Sequence, residues 1–249
     1  MLIRHDKSAY NELKDTKCDD ATYQEFLRAF DTKPHAPETQ ALARKIKETF
    51  ALGVSDAQTP LGKEEGKAAV ITGEKLRAEH EVPDVVFVSP YVRTRKTLES
   101  LTKGWPELAN VKTVEEDRIR EQEHGLSLIY NDWRAFQSLH PEQYFLHAQE
   151  GKYWYRYPQG ENVADVRLRN RSWVDTLVRD YSEKKVLVVT HHLTILALRA
   201  NFERMGEKEF IHLDEHEKPI NCGVTLYRGN PAKGKDGKLE LDYYNKKYY

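Results

Sequence analysis

The chain has 249 residues, with 39 Lys and Arg side chains against 40 Asp and Glu, and a formal net charge of −1. This balance excludes the strong positive field of a nucleic-acid-binding tail, and no apolar run reaches the roughly 20 residues of a membrane-spanning helix. The amino terminus lacks a basic leader followed by an apolar segment, so we predict no signal peptide. Cys18 and Cys222 are far apart and lack a metal-binding spacing, which favours free thiols in a reducing, cytoplasmic compartment.

Apolar runs and helical patterns alternate along the chain. Three short apolar runs are typical of buried parallel strands, and a helical pattern follows each of them: residues 1–3, 85–88 and 186–189. The spacing of apolar and capping residues predicts helices over residues 20–30, 37–52, 63–79, 91–102 and 162–181. Residues 220–227 and 239–244 alternate around a turn at 229–237, which predicts a hairpin at the sheet edge. We therefore expect one α/β domain over residues 1–249.

Cationic and imidazole side chains follow the predicted strands. Arg4 and His5 end the first strand, Arg93 begins the helix after the second, and His191 follows the third. Because open α/β sheets bind ligands at their strand ends, these groups indicate a site for a phosphoryl dianion. Glu121 lies in a turn-like segment between them. In such a cluster one histidine can serve as the nucleophile and the glutamate as proton donor to the leaving oxygen.

The order of these motifs resembles that of the histidine phosphatase superfamily, also called the phosphoglycerate-mutase-like fold. The family's opening Arg-His-Gly, with a Ser and then an Asn further on, stands here as Arg4-His5-Asp6-Lys7-Ser8-Ala9-Tyr10-Asn11. Its Ser-Pro-x-x-Arg-x-x-x-Thr, Glu-x-x-x-Gly, Pro-x-Gly-Glu-Ser and second His stand at residues 89–97, 121–125, 158–162 and 191. The resemblance implies a three-layer α/β/α sandwich with a mostly parallel central sheet.

The resemblance also implies a role for each matching residue. His5 attacks phosphorus and becomes a phosphohistidine, Glu121 is general acid and then general base, and His191 lines the phosphate pocket. Glu123 competes with Glu121 for the acid role, and the spacing to Gly125 favours Glu121. The other side chains expected to hold phosphate are Arg4, Ser8, Asn11 and Arg93. No metal or other cofactor is implied, because the Arg and His cluster supplies the positive charge.

We therefore expect a metal-independent phosphatase of small phosphomonoesters, with no nucleic-acid or membrane partner and with a homodimer left open. The runner-up is a phosphoglycerate mutase, which interconverts 2- and 3-phosphoglycerate. Mutases that resemble this fold carry an adjacent Arg pair and a Lys after the Glu motif. Between residues 125 and 158 the cations are only Arg134, Lys152 and Arg156, which favours hydrolysis. A third hypothesis is a non-catalytic scaffold that binds phosphorylated ligands.

Several positions depart from the family pattern. Asp6 and His192 replace the Gly after each histidine, and Asp6 brings a negative charge near an anion pocket. We expect the Asp6 side chain to turn away, towards Lys7 or an Arg. The family's Leu-Thr-x-x-Gly helix start is blurred over residues 61–66, and residues 13–59 predict a helical insertion near the site mouth. The aromatic run at 153–157 either walls a substrate pocket or packs under a loop.

Overall fold

The computed structural model describes residues 1–234 and 237–249, in which six β-strands and ten α-helices are found. The strands are β1 (Leu2–Arg4), β2 (Val85–Val88), β3 (Lys112–Glu115), β4 (Val186–Thr190), β5 (Val224–Asn230) and β6 (Lys238–Lys246). The helices are α1 (Ala9–Asp19), α2 (Ala21–Thr32), α3 (Pro37–Thr49), α4 (Lys67–Glu79), α5 (Val92–Gly104), α6 (Trp133–Leu139), α7 (Pro141–Trp154), α8 (Val163–Asp180), α9 (His192–Glu203) and α10 (Glu207–His216). Short 3₁₀ helices span Pro106–Asn110, Asp117–Ile119 and Gly125–Tyr130.

The strands form one sheet in the order β3-β2-β4-β1-β5-β6. Strands β3, β2, β4 and β1 are parallel, whereas β5 and β6 form an antiparallel hairpin that ends the sheet. The mostly parallel sheet and the edge hairpin are therefore confirmed, although residues 235–236 of the predicted turn lie outside the described residues. Because β4 lies between β1 and β2, the carboxyl ends of the three predicted strands are neighbours.

Strand β2 shows why the fold has three layers. Its four residues are all buried, and successive side chains point to opposite faces of the sheet. Val86 and Val88 pack in one apolar cluster with Leu101 of α5, while Phe87 packs in another with Trp173 of α8. Helices thus cover both faces, and the predicted α/β/α sandwich is confirmed.

Helices α2 and α3 pack together against α6. Phe26, Ile46 and Phe136, one from each helix, lie in the same buried cluster. A buried ion pair between Lys17 and Asp132, with 3.0 Å from Nζ to Oδ2, links α1 to the start of α6. These helices correspond to the patterns predicted over residues 20–30 and 37–52; their status as an insertion stays a prediction.

The sequence patterns missed some elements and misplaced some ends. Strand β3 is an edge strand with mostly exposed side chains, so it lacks the apolar run that marks a buried strand. Helices α6, α7 and α10 were not predicted either, whereas α1 and α9 agree with the helical patterns expected after the first and third strands, for which no bounds were predicted. The helix expected from residue 63 begins at Lys67, because Gly66 before it has a left-handed φ of +88° that interrupts the helical path.

The state of the cysteines and the character of the helices bear on two expectations from the composition. Within them, Cys18 and Cys222 are both free thiols, the first exposed and the second buried. None of the described helices combines the length and the apolar character that a bilayer crossing requires.

Candidate active site

Two buried histidines meet where the central parallel strands end. His5 comes directly after β1 and His191 directly after β4, and their ring centroids are 5.3 Å apart. The backbone N–H of His5 donates to the carbonyl oxygen of Thr190 at 2.9 Å, which holds the two strand ends together. Only 4% of His5 and none of His191 is exposed. The two imidazoles that the sequence placed at strand ends therefore share one buried site.

The hydrogen bonds of His5 determine its reactive nitrogen. Its Nδ1 lies 2.7 Å from the carbonyl oxygen of Asp6. Because a carbonyl oxygen only accepts, Nδ1 carries the ring proton and Nε2 keeps a lone pair. Burial, with further contributions from Arg93 and Arg4, lowers the pKa of His5 well below its usual value. The ring is therefore neutral at neutral pH, and its Nε2 is available as a nucleophile.

His191 presents its other nitrogen to the site. Its Nε2 lies 2.7 Å from the Ser89 hydroxyl oxygen, and Ser89 follows β2 directly. Burial, followed by the charge of Arg93, lowers the pKa of His191 well below its usual value. When the Ser89 hydroxyl donates to Nε2, the ring proton is on Nδ1, which can then donate to a ligand.

Two buried nitrogen atoms in this cluster have no hydrogen-bond partner among the described residues. They are Nε of Arg4 and Nδ1 of His191. The other end of the Arg4 guanidinium is anchored, since its Nη1 donates to the carbonyl oxygen of Pro219 at 2.7 Å. Unpaired buried donors are costly and rare, so two of them beside cationic groups indicate an anion-binding site.

Arg93 lies at the second position of α5 and is 5% exposed. Its guanidinium contacts the ring of Tyr91, with 4.8 Å between the guanidinium carbon and the ring centroid. Its Nη atoms donate to Asp56, a residue that the sequence motifs did not identify. The Tyr91 ring also lies 4.9 Å from the ring of His191, which places Arg93 beside the histidines.

Glu121 reaches the site through the amino terminus of α9. Its Oε1 accepts from the backbone N–H of Leu193 at 3.2 Å, two residues after His191. A helix amino terminus favours a carboxylate, so this contact fixes the side chain beside the histidine. Glu123 instead pairs with Arg120 at 2.8 Å and is 45% exposed at its side chain. The geometry therefore brings Glu121, rather than Glu123, to the histidine.

Two glycines let the Glu121 loop pack against the 158–162 motif. A Cβ on Gly125 would lie 2.1 Å from the carbonyl oxygen of Pro158, and one on Gly160 would lie 2.4 Å from that of Glu123. Gly125 also has a φ of +49°, which favours glycine. The close approach of the two backbones therefore requires glycine at both positions.

Arg169 supports the loop that carries Glu121 through hydrogen bonds. It donates to the carbonyl oxygen of Glu121 at 2.9 Å and to the carboxylate of Glu161 at 2.8 Å. Asn162 accepts from the backbone of Asp165 and caps α8, as its position in the sequence predicted. The motif at 158–162 therefore supports the loop and starts a helix.

Ser8 and Asn11 form the amino-terminal cap of α1. Ser8 Oγ accepts from the backbone N–H of Asn11 at 3.3 Å, and Asn11 Oδ1 accepts from that of Ser8 at 3.1 Å. Asn221, which no motif indicated, donates from Nδ2 to the His5 carbonyl oxygen at 3.0 Å and to Asn11 Oδ1 at 3.2 Å. These contacts attach the cap to the His5 loop. Direct phosphate contacts of Ser8 and Asn11 stay predictions.

The Asp6 carboxylate points away from the histidines. Its Oδ1 accepts from the backbone N–H of Lys7 at 2.7 Å, and its Oδ2 accepts from that of Ala69 at 3.0 Å, in the first turn of α4. The expected direction is thus correct, but the partners are backbone groups, and the Lys7 side chain pairs with Asp15 instead. The charge of Asp6 is stabilised by a helix amino terminus, outside the anion site.

Replacing Asp6 with glycine should therefore cost stability without activating the protein. We expect the free energy of unfolding to fall by about 1–2 kcal/mol, because the N–H of Ala69 loses its buried partner. Thermal denaturation should show a decrease of about 2–4 °C per kcal/mol lost. Asp6→Asn, which keeps an acceptor oxygen, should lose less. A tenfold gain in phosphatase rate in the glycine variant would contradict this interpretation.

The remaining positions singled out by the sequence lie around this cluster. His192 pairs with Asp214 of α10, with 2.7 Å from Nε2 to Oδ1. In the aromatic run at 153–157, Tyr155 is buried while Trp154 is half exposed, so the run mainly packs under the surface. Its last member, Tyr157, lies with its ring 5.0 Å from that of His124. Among the described residues no group of three or more His, Cys, Asp or Glu side chains is arranged to hold a metal ion.

Comparison with known families agrees with this arrangement. The family model of the histidine phosphatase superfamily (branch 1) matches residues 53–234. The chain belongs to this superfamily. The matched region contains Arg93, Glu121 and His191 but begins after Arg4 and His5, which the fold brings to the same site. The resemblance and the enzyme class expected from the sequence are thus confirmed at the level of the family.

Similar proteins include phosphatases and mutase-like proteins. The phosphoglycerate mutase-like protein AT74H of Arabidopsis thaliana is 29% identical over 179 residues, which cover 64% of this chain and 61% of that protein. Phosphoserine phosphatase 1 of Hydrogenobacter thermophilus is 26% identical over 182 residues, 66% of this chain and 80% of that protein. The structure of a mycobacterial glucosyl-3-phosphoglycerate phosphatase has a TM-score of 0.62 at 18% identity and covers 98% of this chain and 96% of its own. This last likeness shows the shared fold.

Proposed function

We propose that this histidine phosphatase superfamily member hydrolyses small phosphomonoesters through a phosphohistidine on His5, without a metal ion. The observation that carries the proposal is the state of His5. Its Nδ1 is bonded to the Asp6 carbonyl oxygen, so Nε2 carries the lone pair inside a cluster of cationic and donor groups. Arg4 and Arg93 supply the positive charge that a metal ion supplies in other phosphoryl-transfer sites.

In the first step the phosphoryl oxygens are bound by Arg4, Arg93 and His191. The unpaired Nε–H of Arg4 and the Nδ1 of His191 are the donors available for this purpose. His5 Nε2 attacks phosphorus, the bond from phosphorus to the leaving oxygen breaks, and Glu121 gives that oxygen its proton. The product alcohol leaves, and the phosphoryl group is bonded to His5.

In the second step Glu121, now a carboxylate, takes a proton from water. The water oxygen attacks phosphorus, the bond to His5 Nε2 breaks, and inorganic phosphate is released. Glu121 regains the proton it gave away, so the enzyme returns to its starting state.

Contacts of the three cations after the Glu motif favour hydrolysis over mutase activity. Lys152 pairs with Asp214, Arg156 pairs with Asp165, and Arg134 stacks on the ring of Trp133 at 4.4 Å. Because each of these side chains already has a partner, the three do not supply a free pair of cations for a substrate carboxylate. The phosphatases among the similar proteins support the same choice.

The test is hydrolysis of p-nitrophenyl phosphate by the metal-stripped chain in excess EDTA. We expect full activity, and rapid quenching should trap a phosphoenzyme that is stable in base and labile in acid. Activity that is lost in EDTA and restored by a divalent cation would overturn the metal-independent mechanism. Interconversion of 2- and 3-phosphoglycerate that depends on a bisphosphorylated primer and exceeds hydrolysis would indicate the mutase. Phosphate binding without any turnover would indicate the scaffold.

The expected cytoplasmic location, the absence of nucleic-acid and membrane partners, and the open question of a homodimer stay as predictions from the sequence.

A further inference from the structure

Arg93, which we assign to phosphoryl binding, is held by a carboxylate from a distant segment. Its Nη1 donates to Asp56 Oδ1 at 2.9 Å and to the Asp56 carbonyl oxygen at 2.6 Å, while its Nη2 donates to Asp56 Oδ2 at 3.3 Å. The two side chains are 6% and 22% exposed. The contact is therefore a bidentate ion pair, largely shielded from solvent, with a third bond to the backbone.

Asp56 binds one edge of the Arg93 guanidinium and leaves a second edge without a partner among the described residues. Asp56 takes both Nη1 protons and the one Nη2 proton that lies beside them. The Nε–H and the other Nη2–H form a second fork, which is a pair of parallel N–H bonds on the adjacent edge of the guanidinium. Neither of them makes a hydrogen bond to the described residues. A planar guanidinium can bind two oxyanions at once, one on each fork. Asp56 thus leaves Arg93 a free fork for phosphoryl oxygens.

The segment that carries Asp56 is attached to both phosphate-site motifs. The carbonyl oxygen of Ala57 accepts from the N–H of Val92 at the start of α5 at 2.9 Å. Four residues after Asp56, the carbonyl oxygen of Pro60 accepts from the N–H of Ala9 at 3.0 Å. Asp56 is therefore fixed relative to the His5 loop as well as to Arg93.

We propose that Asp56 is a positioning residue for catalysis. It binds the Nη1 and Nη2 side of the Arg93 guanidinium, so that the Nε–H and the other Nη2–H face the phosphoryl group. This inference rests on the proposed function, because it assigns Arg93 to phosphoryl binding. An arginine side chain has several rotatable bonds. Without an anchor these bonds become ordered only when the phosphoryl group binds, and this ordering costs free energy. Displacement of a binding group by about 1 Å is enough to lower a rate about 100-fold.

The opposite interpretation is that Asp56 competes with phosphate for Arg93 and inhibits the site. Two substitutions separate the interpretations, because Asp56→Asn and Asp56→Ala remove the same charge but only asparagine keeps an acceptor oxygen. If Asp56 positions Arg93, asparagine should largely rescue what alanine loses. If Asp56 competes by its charge, both variants should bind phosphate more tightly than the parent chain.

The experiment measures binding of inorganic phosphate by calorimetry and kcat/KM on p-nitrophenyl phosphate. We expect Asp56→Ala to weaken phosphate binding about 10-fold and to lower kcat/KM about 100-fold, with Asp56→Asn within about 5-fold of the parent. In an Arg93→Met background, Asp56→Ala should change either quantity by less than about 3-fold, since the group it positions is gone. Asp15→Asn, which removes an exposed carboxylate paired with Lys7, is the charge control and should stay within about 2-fold.

Three results would overturn the positioning role. They are tighter phosphate binding in Asp56→Ala, equal losses in the asparagine and alanine variants, and a full effect of Asp56→Ala in the Arg93→Met background. Melting temperatures of all variants identify any that lose the fold, and the Asp56→Asn comparison stands even if the Arg93→Met background does not fold. Phosphate binding needs no turnover, so failure of the proposed function and failure of the Asp56 role give different results.

Discussion

Replacing His5 with alanine should lower kcat on p-nitrophenyl phosphate by about 10⁴-fold or more and should remove the trapped phosphoenzyme. The reason is that Nε2 of His5 has the available lone pair, while the Nε2 of His191 is engaged by the Ser89 hydroxyl. The measurement is steady-state turnover together with rapid-quench recovery of phosphoenzyme, for the parent and the variant. Melting temperature confirms that the variant is folded.

A histidine outside the cluster provides the matched control for this variant. His140 lies at the end of α6 and bonds to the hydroxyl of Tyr130 at 2.7 Å, so His140→Ala should change kcat less than about 5-fold. If His5→Ala keeps more than a tenth of the parent activity, another group is the nucleophile. In that case the chemical stability of the trapped phosphoenzyme would show which type of residue it is.

Replacing Glu121 with glutamine should have an effect that depends on the leaving group. For an alkyl phosphate, kcat/KM should fall about 10²–10³-fold, because the alkoxide must be protonated as it leaves. For p-nitrophenyl phosphate, kcat/KM should fall less than about 10-fold, because nitrophenolate leaves without a proton. Hydrolysis of the phosphohistidine also needs Glu121 as a base, so the variant should release a burst of nitrophenol and accumulate phosphoenzyme.

Glu123→Gln is the matched control for the Glu121 variant, since it changes a carboxylate two residues away. Glu123 is half exposed and bonded to Arg120, so its replacement should change kcat/KM less than about 3-fold on either substrate. Equal losses on alkyl and aryl phosphates in Glu121→Gln would mean that this residue does not protonate the leaving oxygen. A large effect confined to Glu123→Gln would transfer the acid role to that residue.

Much of the scaffold could be predicted from local patterns. The three central strands are apolar on both faces, so their runs are visible in the sequence, and their termini are correct to about one residue. The edge strand β3 escaped prediction because its side chains face solvent and need not be apolar. The edge hairpin was found since its two strands alternate around turn residues.

The candidate site also contains residues that could be predicted from the sequence and residues that could not. Arg4, His5 and His191 were identifiable because each lies at a strand end or directly after it, where a sheet binds ligands, and Arg93 because it begins the helix that follows β2. Asp56 and Asn221 were not, because each acts through a partner far away in the sequence. Asn221 bonds to the backbone of His5, 216 residues earlier, and Asp56 bonds to Arg93, 37 residues later. No spacing rule reports such a pair.

The sequence by itself determined the order of the motifs, the superfamily they resemble and the strands that carry them, because these depend on local residue types and periods. Only the tertiary structure decided three further points: which nitrogen of His5 is free, which groups bind the Asp6 carboxylate, and which backbone group holds the Glu121 side chain beside His191. Each is a choice among hydrogen-bond partners. Those partners, the carbonyl oxygen of Asp6 and the N–H groups of Ala69 and Leu193, take their places only when the chain is folded.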